Sequence, residues 1–344
     1  MVIGIIGSSI SGLIAGKRLA KAGHDVTIIE KNRSLGGRLK TVELDSLNLD
    51  VGLSRFDVTT NTFDSFVKTQ EEEGIVQKWA KEFSYYDGLE VINDDPNSDS
   101  RQYYTGTNGL QPFAESMSRW VDIKSEEQAG GLTYIGPDRS KKRSWMINLT
   151  DISVFECDAV IIATSAVEAY GLMQTAQNKT ESRRIIRHVD EVRYDGCFSL
   201  AATFDNQEVP DWKGIECENN SISWICNESS KLNTDKTALV IQSTPEFYRK
   251  HAQKSDDEIK ELLFEEASDI VGTWVHRSKS TYLQGWKYFK TKNPINEYFM
   301  ELELEDAPLA LIGDYLGGSS LESAFVSGYN LSEYWIKKYT EITA

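Results

Sequence analysis

The residues best placed to do chemistry sit near the start of the chain. Gly7-Ser8-Ser9-Ile10-Ser11-Gly12 follows the apolar run Val2-Ile3-Gly4-Ile5-Ile6, and Glu30 closes a second run, His24-Asp25-Val26-Thr27-Ile28-Ile29. Gly7 permits a tight turn, and Gly12 lets a helix pack closely on the strand before it. The opening turn of that helix, Ser9, Ile10 and Ser11, offers unpaired N–H groups and the positive end of a dipole to a pyrophosphate. A carboxylate about 20 residues on accepts the hydroxyls of an adenosine ribose; here it is Glu30, with Lys31 beside it. Together these residues form the phosphate-and-ribose half of a dinucleotide site. Ser9 stands where the usual pattern has its middle glycine, and its side chain is expected to crowd the closest approach of backbone to phosphate. Taken alone, the pattern also fits a strand, turn and helix that bind nothing.

The chain continues Lys31-Asn32-Arg33-Ser34-Leu35-Gly36-Gly37-Arg38-Leu39-Lys40-Thr41. This stretch resembles the extension that separates FAD-binding, amine-oxidase-like flavoproteins from NAD-binding dehydrogenases. The resemblance implies that Gly37 and Arg38 close over the pyrophosphate. Near the other end, Ala307-Pro308-Leu309-Ala310-Leu311-Ile312-Gly313-Asp314 reads as an apolar strand ending in Gly-Asp, followed by a Gly/Ser turn and an amphipathic helix from Ser320 and Leu321. In flavoproteins such an arrangement sets the aspartate on the ribityl-phosphate side and the helix N-terminus near the flavin ring. It assigns Gly313, Asp314, Ser320 and Leu321 to the cofactor, although Asp314 also fits a plain N-terminal cap. The three elements, in this order, imply non-covalent FAD.

These groups must be positioned by a sizeable core. The 344 residues suggest about two domains, and 40% hydrophobic content supplies their interior. A net charge of −16 argues against nucleic acid and against anionic membrane surfaces as partners. The N-terminal apolar run is too short to span a bilayer. Cys157, Cys197, Cys217 and Cys226 form no CxxC pair, and His24, His188, His251 and His276 are scattered, so no metal site is expected. Reduced thiols suit a cytoplasmic protein.

Along the chain, residues 1–60 read as β-α-β plus a loop carrying Asp50-Val51-Gly52. The stretch Phe63 to Lys81 has one apolar face and predicts a helix. Asn93-Asp94-Asp95-Pro96-Asn97 is a loop, and Arg139-Ser140-Lys141-Lys142-Arg143 a basic turn within a small antiparallel excursion. Cys157 to Thr164 predicts a parallel strand buried on both faces. Cys197–Phe204, Ile222–Cys226 and Ala238–Ser243 predict antiparallel strands, followed by a helix at Asp256 to Ile270. The expected architecture is α/β, a Rossmann-like FAD-binding domain (1–60, 105–170 and 300–344) interleaved with an antiparallel-sheet substrate domain (61–104 and 171–299).

Ser223–Lys231, Ala238–Thr244, Gln284-Gly285-Trp286-Lys287-Tyr288 and Gly313-Asp314, with Asp50-Val51-Gly52 and Tyr104–Gly109, resemble the renalase group of compact FAD-dependent oxidoreductases. Gln284 and Gly285 depart from the histidine and arginine of that group, and Leu53-Ser54-Arg55-Phe56 from its aromatic-rich stretch. The resemblance implies a p-hydroxybenzoate-hydroxylase-like fold and transfer of a hydride from a small substrate to flavin N5, with reoxidation by O2 to hydrogen peroxide. Isomeric dihydronicotinamide dinucleotides (NAD(P)H isomers) are the substrates it suggests. Trp286 and Tyr288, two apart on a strand, face one side and form a candidate catalytic wall, or else an ordinary core pair. An amine oxidase or other FAD oxidoreductase, and a catalytically silent flavin-binding protein, stay open as alternatives.

Overall fold

The computed structural model describes residues 1–93, 101–136, 143–176, 180–205, 208–232, 234–302, 304 and 307–340. The expected loop at 94–97 and the basic residues 139–142 lie outside them. Two compact units emerge, each built from separated stretches of chain: unit 1 is Met1–Gly37, Ala114–Arg193 and Thr291–Ala344, and unit 2 is Arg38–Phe113 and Tyr194–Lys290.

Unit 1 is formed by strands β1 (Val2–Ile6), β2 (Asp25–Glu30), β3 (Asp122–Ser125), β4 (Ala129–Tyr134), β5 (Trp145–Leu149), β6 (Val154–Cys157), β7 (Ala159–Ile162), β8 (Met300–Leu302) and β9 (Leu309–Leu311). Its helices include α1 (Ile10–Lys21), α2 (Ala166–Thr175), α3 (Thr180–Glu191), α4 (Asp314–Gly317) and α5 (Leu321–Thr340). A six-stranded sheet runs β8-β9-β7-β1-β2-β3, parallel except for β8 on β9. Ile3, Ile5, Ile28, Ile161 and Leu311 are fully buried, which is why these strands read as unbroken apolar runs. The antiparallel β4-β5-β6 sheet covers one side of β1: a side chain at Gly4 would stand 2.6 Å from Ile147 Cδ1.

Helix α1 sets Ile10, Leu13 and Ile14 on one face at helical spacing and buries Leu19 on the opposite one, as suits a helix covered on several sides, and it stops before Gly23, whose φ is +92°. Each of those side chains adds ~1.5–3 kcal/mol of burial. Its other neighbour is α5. A Cβ at Gly328 would stand 2.2 Å from Ser11 O, so a glycine inside α5 lets the two helices touch backbone to backbone.

Unit 2 is a seven-stranded sheet in the order 280–291, 194–204, 237–243, 222–227, 214–217, 84–86, 91–92. Most pairings are antiparallel; the 214–217 and 84–86 strands run parallel. Period-two alternation sends Leu200, Ala202, Leu239 and Ile241 to one face, under Ile259, Leu263, Ala267 and Ile270 of the helix Asp256–Val271. Ala201, Trp224, Ala238 and Val240 face the other way, against Leu47, Leu49, Val51 and Trp79. The expected helix over 63–81 is shorter than its apolar spacing suggests. It spans Asn61–Glu72, Gly74 at φ +71° ends it, and Val76–Ala80 is a strand paired with Tyr103–Gly106. Asp50 closes the strand Leu47–Asp50 rather than lying in a loop.

Candidate functional site

In unit 1 the turn from β1 into α1 is dictated by its glycines. Gly7 has φ +98°, and a Cβ there would stand 2.7 Å from Ala163 O; at Gly12 a Cβ would stand 2.3 Å from Gly7 O. Ser9 is the N-cap of α1, yet it makes no side-chain cap. Its hydroxyl donates to Ala163 O (2.9 Å) and therefore accepts from Ser11 Oγ (2.8 Å). The first intrahelical bond is Leu13 N to Ser9 O, so the N–H groups of Ile10, Ser11 and Gly12 have no turn behind them to bond to. The Ser9 side chain is thus folded back toward Ala163, at the end of β7.

Glu30, 6% exposed, ends β2 beside this turn. One carboxylate oxygen accepts Ser8 N (2.9 Å) and Ser8 Oγ (2.7 Å); the other accepts Asn32 N and Asn32 Nδ2, both at 2.8 Å. Lys31 is exposed and ion-paired with Glu168 of α2. The glycine pair folds back on the same turn: Gly36 N donates to Ser8 O at 3.0 Å, and Gly36 and Gly37 have φ +93° and +57°. The cradle thus gathers Gly7, Ser9, Ile10, Ser11, Gly12, Glu30 and the glycine pair. Its chemistry fits a pyrophosphate on bare helix N–H groups and a ribose hydroxyl on a buried carboxylate once one of that carboxylate's present donors gives way.

The C-terminal element also lies in unit 1. Ile312 N donates to Ile162 O (2.9 Å), extending the sheet, and Gly313 N donates to Ser327 Oγ (3.0 Å). A Cβ at Gly313 would meet Tyr315 Cε1 at 2.6 Å. Asp314 is 5% exposed at the start of α4. Ser320 caps α5, its Oγ accepting Ser323 N at 3.0 Å, ahead of the buried Leu321.

Arg38 belongs to unit 2, where its guanidinium donates to Phe289 O at 2.7 Å. Trp286 and Tyr288 lie on the strand Ser280–Thr291, both half-buried. The Trp286 indole N–H donates to Val51 O (2.8 Å), and the Tyr288 ring packs on Tyr194 with centroids 5.4 Å apart. Gln284 Oε1 accepts Lys40 Nζ (2.7 Å), which gives that departure from the renalase pattern a partner. Tyr104 stacks on Phe56 (5.8 Å).

A buried ionic cluster in unit 2 escaped the sequence reasoning. Lys231, Asp50 and Glu228 have side chains 1%, 0% and 1% exposed. Lys231 Nζ reaches Glu228 Oε1 at 2.8 Å and Asp50 Oδ2 at 3.2 Å; Thr41 Oγ1 and Leu110 N donate to Asp50 Oδ1, each at 2.8 Å. Burial pushes the Glu228 carboxyl up, against the pull of Lys231. Burial pulls the Lys231 ammonium down, and the facing acidic groups more than reverse it. The one legible signal is that Glu228 and Lys231 come three apart directly after an apolar strand. Burial pushes the thiols of Cys157, Cys197 and Cys217 up to about 12, which leaves them inert. Among the described residues no group of His, Cys, Asp and Glu is arranged to hold a metal ion, and no helix is long and apolar enough to cross a membrane.

Comparison with known proteins adds the family. A model of NAD(P)-binding Rossmann-like domains matches residues 5–68, and a model of flavin containing amine oxidoreductases matches residues 85–334. A carotenoid 3,4-desaturase of Haloarcula japonica is 26% identical over 181 residues, 50% of this chain and 34% of its own length. A 4,4'-diapophytoene desaturase (4,4'-diaponeurosporene-forming) of Staphylococcus aureus is 37% identical over 75 residues, 21% of this chain and 15% of its own. The chain therefore spans about a third or less of the curated relatives it matches. An engineered putrescine oxidase superposes with a TM-score of 0.76 at 12% identity, covering 98% of each chain. A cyclohexylamine oxidase from Brevibacterium oxydans does so at 0.73 and 11%, again over 98% of each. At such identities these likenesses show the fold alone. Because the second family model spans most of the sequence, the chain belongs to the flavin containing amine oxidoreductases, a family of FAD-dependent oxidoreductases.

Proposed function

We propose that the chain is an oxidase that takes a hydride from a small, electron-rich organic substrate, an isomeric dihydronicotinamide dinucleotide, with dioxygen as the final acceptor. FAD, when bound, supplies the two-electron acceptor at flavin N5, and its reoxidation by dioxygen yields hydrogen peroxide. The observation that carries the flavin half of the reading is the uncapped N-terminus of α1 beside the buried Glu30. Ile10, Ser11 and Gly12 would hold the pyrophosphate through backbone N–H groups, and Glu30 the adenosine ribose. Gly313, Asp314, Ser320 and Leu321 would serve the flavin end, and Lys31, Gly37 and Arg38 complete the proposed cofactor contacts. In unit 2, Trp286 and Tyr288 would offer aromatic faces to the substrate, with Trp286 held by its bond to Val51 O. A p-hydroxybenzoate-hydroxylase-like arrangement and a cytoplasmic setting belong to the same proposal.

The substrate half is supported by the renalase-like residues at 223–231 and 284–288 and by the presence of a single dinucleotide fingerprint, which leaves a nicotinamide nucleotide to enter as substrate. A second reading, oxidation of an amine or desaturation of a carbon–carbon bond, is favoured by the family model and by the desaturase relatives. Anaerobic absorbance titration of the flavin-loaded protein separates them. Bleaching by 2- and 6-dihydronicotinamide dinucleotides but not by NADH is the expected result. Bleaching only by putrescine, cyclohexylamine or a linear polyene transfers the assignment to the second reading. A flavin that none of them reduces makes the protein a silent flavin binder.

A further inference from the structure

The Glu30 carboxylate is saturated. It accepts four hydrogen bonds, the number its lone pairs accommodate, from Ser8 N, Ser8 Oγ, Asn32 N and Asn32 Nδ2. A ribose hydroxyl that donates to this carboxylate needs one of those positions. Three of them are fixed. Ser8 is 0% exposed and its carbonyl accepts Gly36 N–H (3.0 Å), so its backbone is held and its hydroxyl is enclosed, with no water to bond to in place of Glu30. The Asn32 backbone is held on both sides, its amide on Glu30 and its carbonyl by Glu126 N–H at 3.3 Å. The fourth donor, the Asn32 carboxamide, sits on an exposed residue and turns about side-chain bonds alone.

We propose that the Asn32 carboxamide occupies the position on Glu30 that the adenosine ribose uses, and must swing away before FAD binds, so that Asn32 lowers cofactor affinity as an internal competitor. Ser8 stays on the carboxylate and supports binding. The proposal rests on the reading of the cradle as an FAD site. Its consequence is a pair of opposite signs. Removing the carboxamide takes a charge-assisted bond away from the cofactor-free protein only, and so tightens binding. Removing the Ser8 hydroxyl strips a donor from a carboxylate that stays buried in both forms, and leaves Glu30 less well held to receive the ribose.

The test is a titration of the full chain, freed of flavin by dialysis, with FAD and with FMN, which carries no adenosine ribose. Asn32→Ala is expected to lower the FAD Kd by roughly threefold to tenfold, the scale of a hydrogen bond to a charged group offset by hydration. The FMN Kd should stay where it was, and the Tm of the flavin-free variant should fall. Ser8→Ala and Glu30→Gln are expected to raise the FAD Kd about tenfold. An Asn32→Ala Kd for FAD that is unchanged or higher overturns the proposal, because the carboxamide then stays on Glu30 or contacts the ribose itself. A wild-type chain that takes up neither flavin defeats the cradle reading instead, and the proposal with it.

Discussion

Replacing Lys231 by methionine removes the ammonium between Asp50 and Glu228 and leaves two carboxylates with almost no exposure to water. The stem of the side chain is kept, and so is its packing near Trp79, whose ring lies 5.3 Å from Nζ. The change therefore reports on charge rather than on a cavity. Breaking a buried ion pair by removing one partner costs about 3–5 kcal/mol, and in a unit of this size each kcal/mol lowers Tm by ~2–4 °C. A fall of roughly 6–20 °C in the transition of unit 2 follows, to be read by calorimetry with near-ultraviolet circular dichroism. The pH dependence gives a second readout. Burial already raises the Glu228 carboxyl in the folded state, and without Lys231 it rises further. A folded pKa above the unfolded one means that the native state takes up the proton more readily, so stability grows as pH falls through the raised value. The deficit of Lys231→Met should thus be full at pH 8 and smaller at pH 5. A drop under about 2 °C, or a deficit that grows on acidification, would refute the reading of Lys231 as the charge that balances two buried carboxylates.

Two further substitutions probe backbone and cradle. Gly52→Ala places a Cβ 1.9 Å from Arg38 O and is expected to abolish folding of unit 2, whereas Gly37→Ala meets nothing within 4 Å and should cost only about 1 kcal/mol for its positive φ; comparing soluble yield and Tm checks the contrast. Ser9→Gly restores the usual glycine but deletes the bond to Ala163 O, so Tm should fall by a few degrees, the scale of about 1 kcal/mol, while FAD affinity stays within about threefold; tenfold tighter binding would reinstate the crowding expected from the sequence.

Much of the fold was legible because it follows from period and run length. The unbroken apolar runs at 2–6 and 159–162 are strands covered on both faces, and the helix expected at Asp256 to Ile270 runs Asp256–Val271, where the structure adds a capping box at Ser255 and Glu258. Where the reading failed, the deciding contact is remote or the local signal ambiguous. The apolar spacing that starts at Phe63 continues past Gly74 to Trp79 as if one helix ran through, and only the left-handed Gly74 separates helix from strand. Asp50 and Lys231 are 181 residues apart, and nothing local tells a lysine that its charge will be buried. Gly328 looks like a helix defect until Ser11 O is found against it. At the cradle, the glycines and Glu30 were readable because their chemistry is local to a strand, a turn and a helix. Ser8 and Asn32, which saturate Glu30, were not, because the pattern treats their positions as free.

Ser9 shows how a departure from a motif can preserve its purpose. A serine at a helix N-cap ordinarily folds its hydroxyl over the first turn, which stabilises the helix by ~0.5–2 kcal/mol and consumes an N–H group that a ligand would need. Thr60, Ser165, Thr244 and Ser255 do this in their own helices, accepting Phe63 N, Glu168 N, Phe247 N and Glu258 N. Ser9 does not, because Ala163 O at the end of β7 and the Ser11 hydroxyl claim it. The glycine that the usual pattern carries leaves the helix end bare by having no side chain; this chain reaches the same bare end by tying the side chain down. The stabilisation forgone at α1 is recovered in part as a bond between the turn and the neighbouring parallel strand. The N–H groups of Ile10, Ser11 and Gly12 therefore stay unclaimed by the Ser9 side chain.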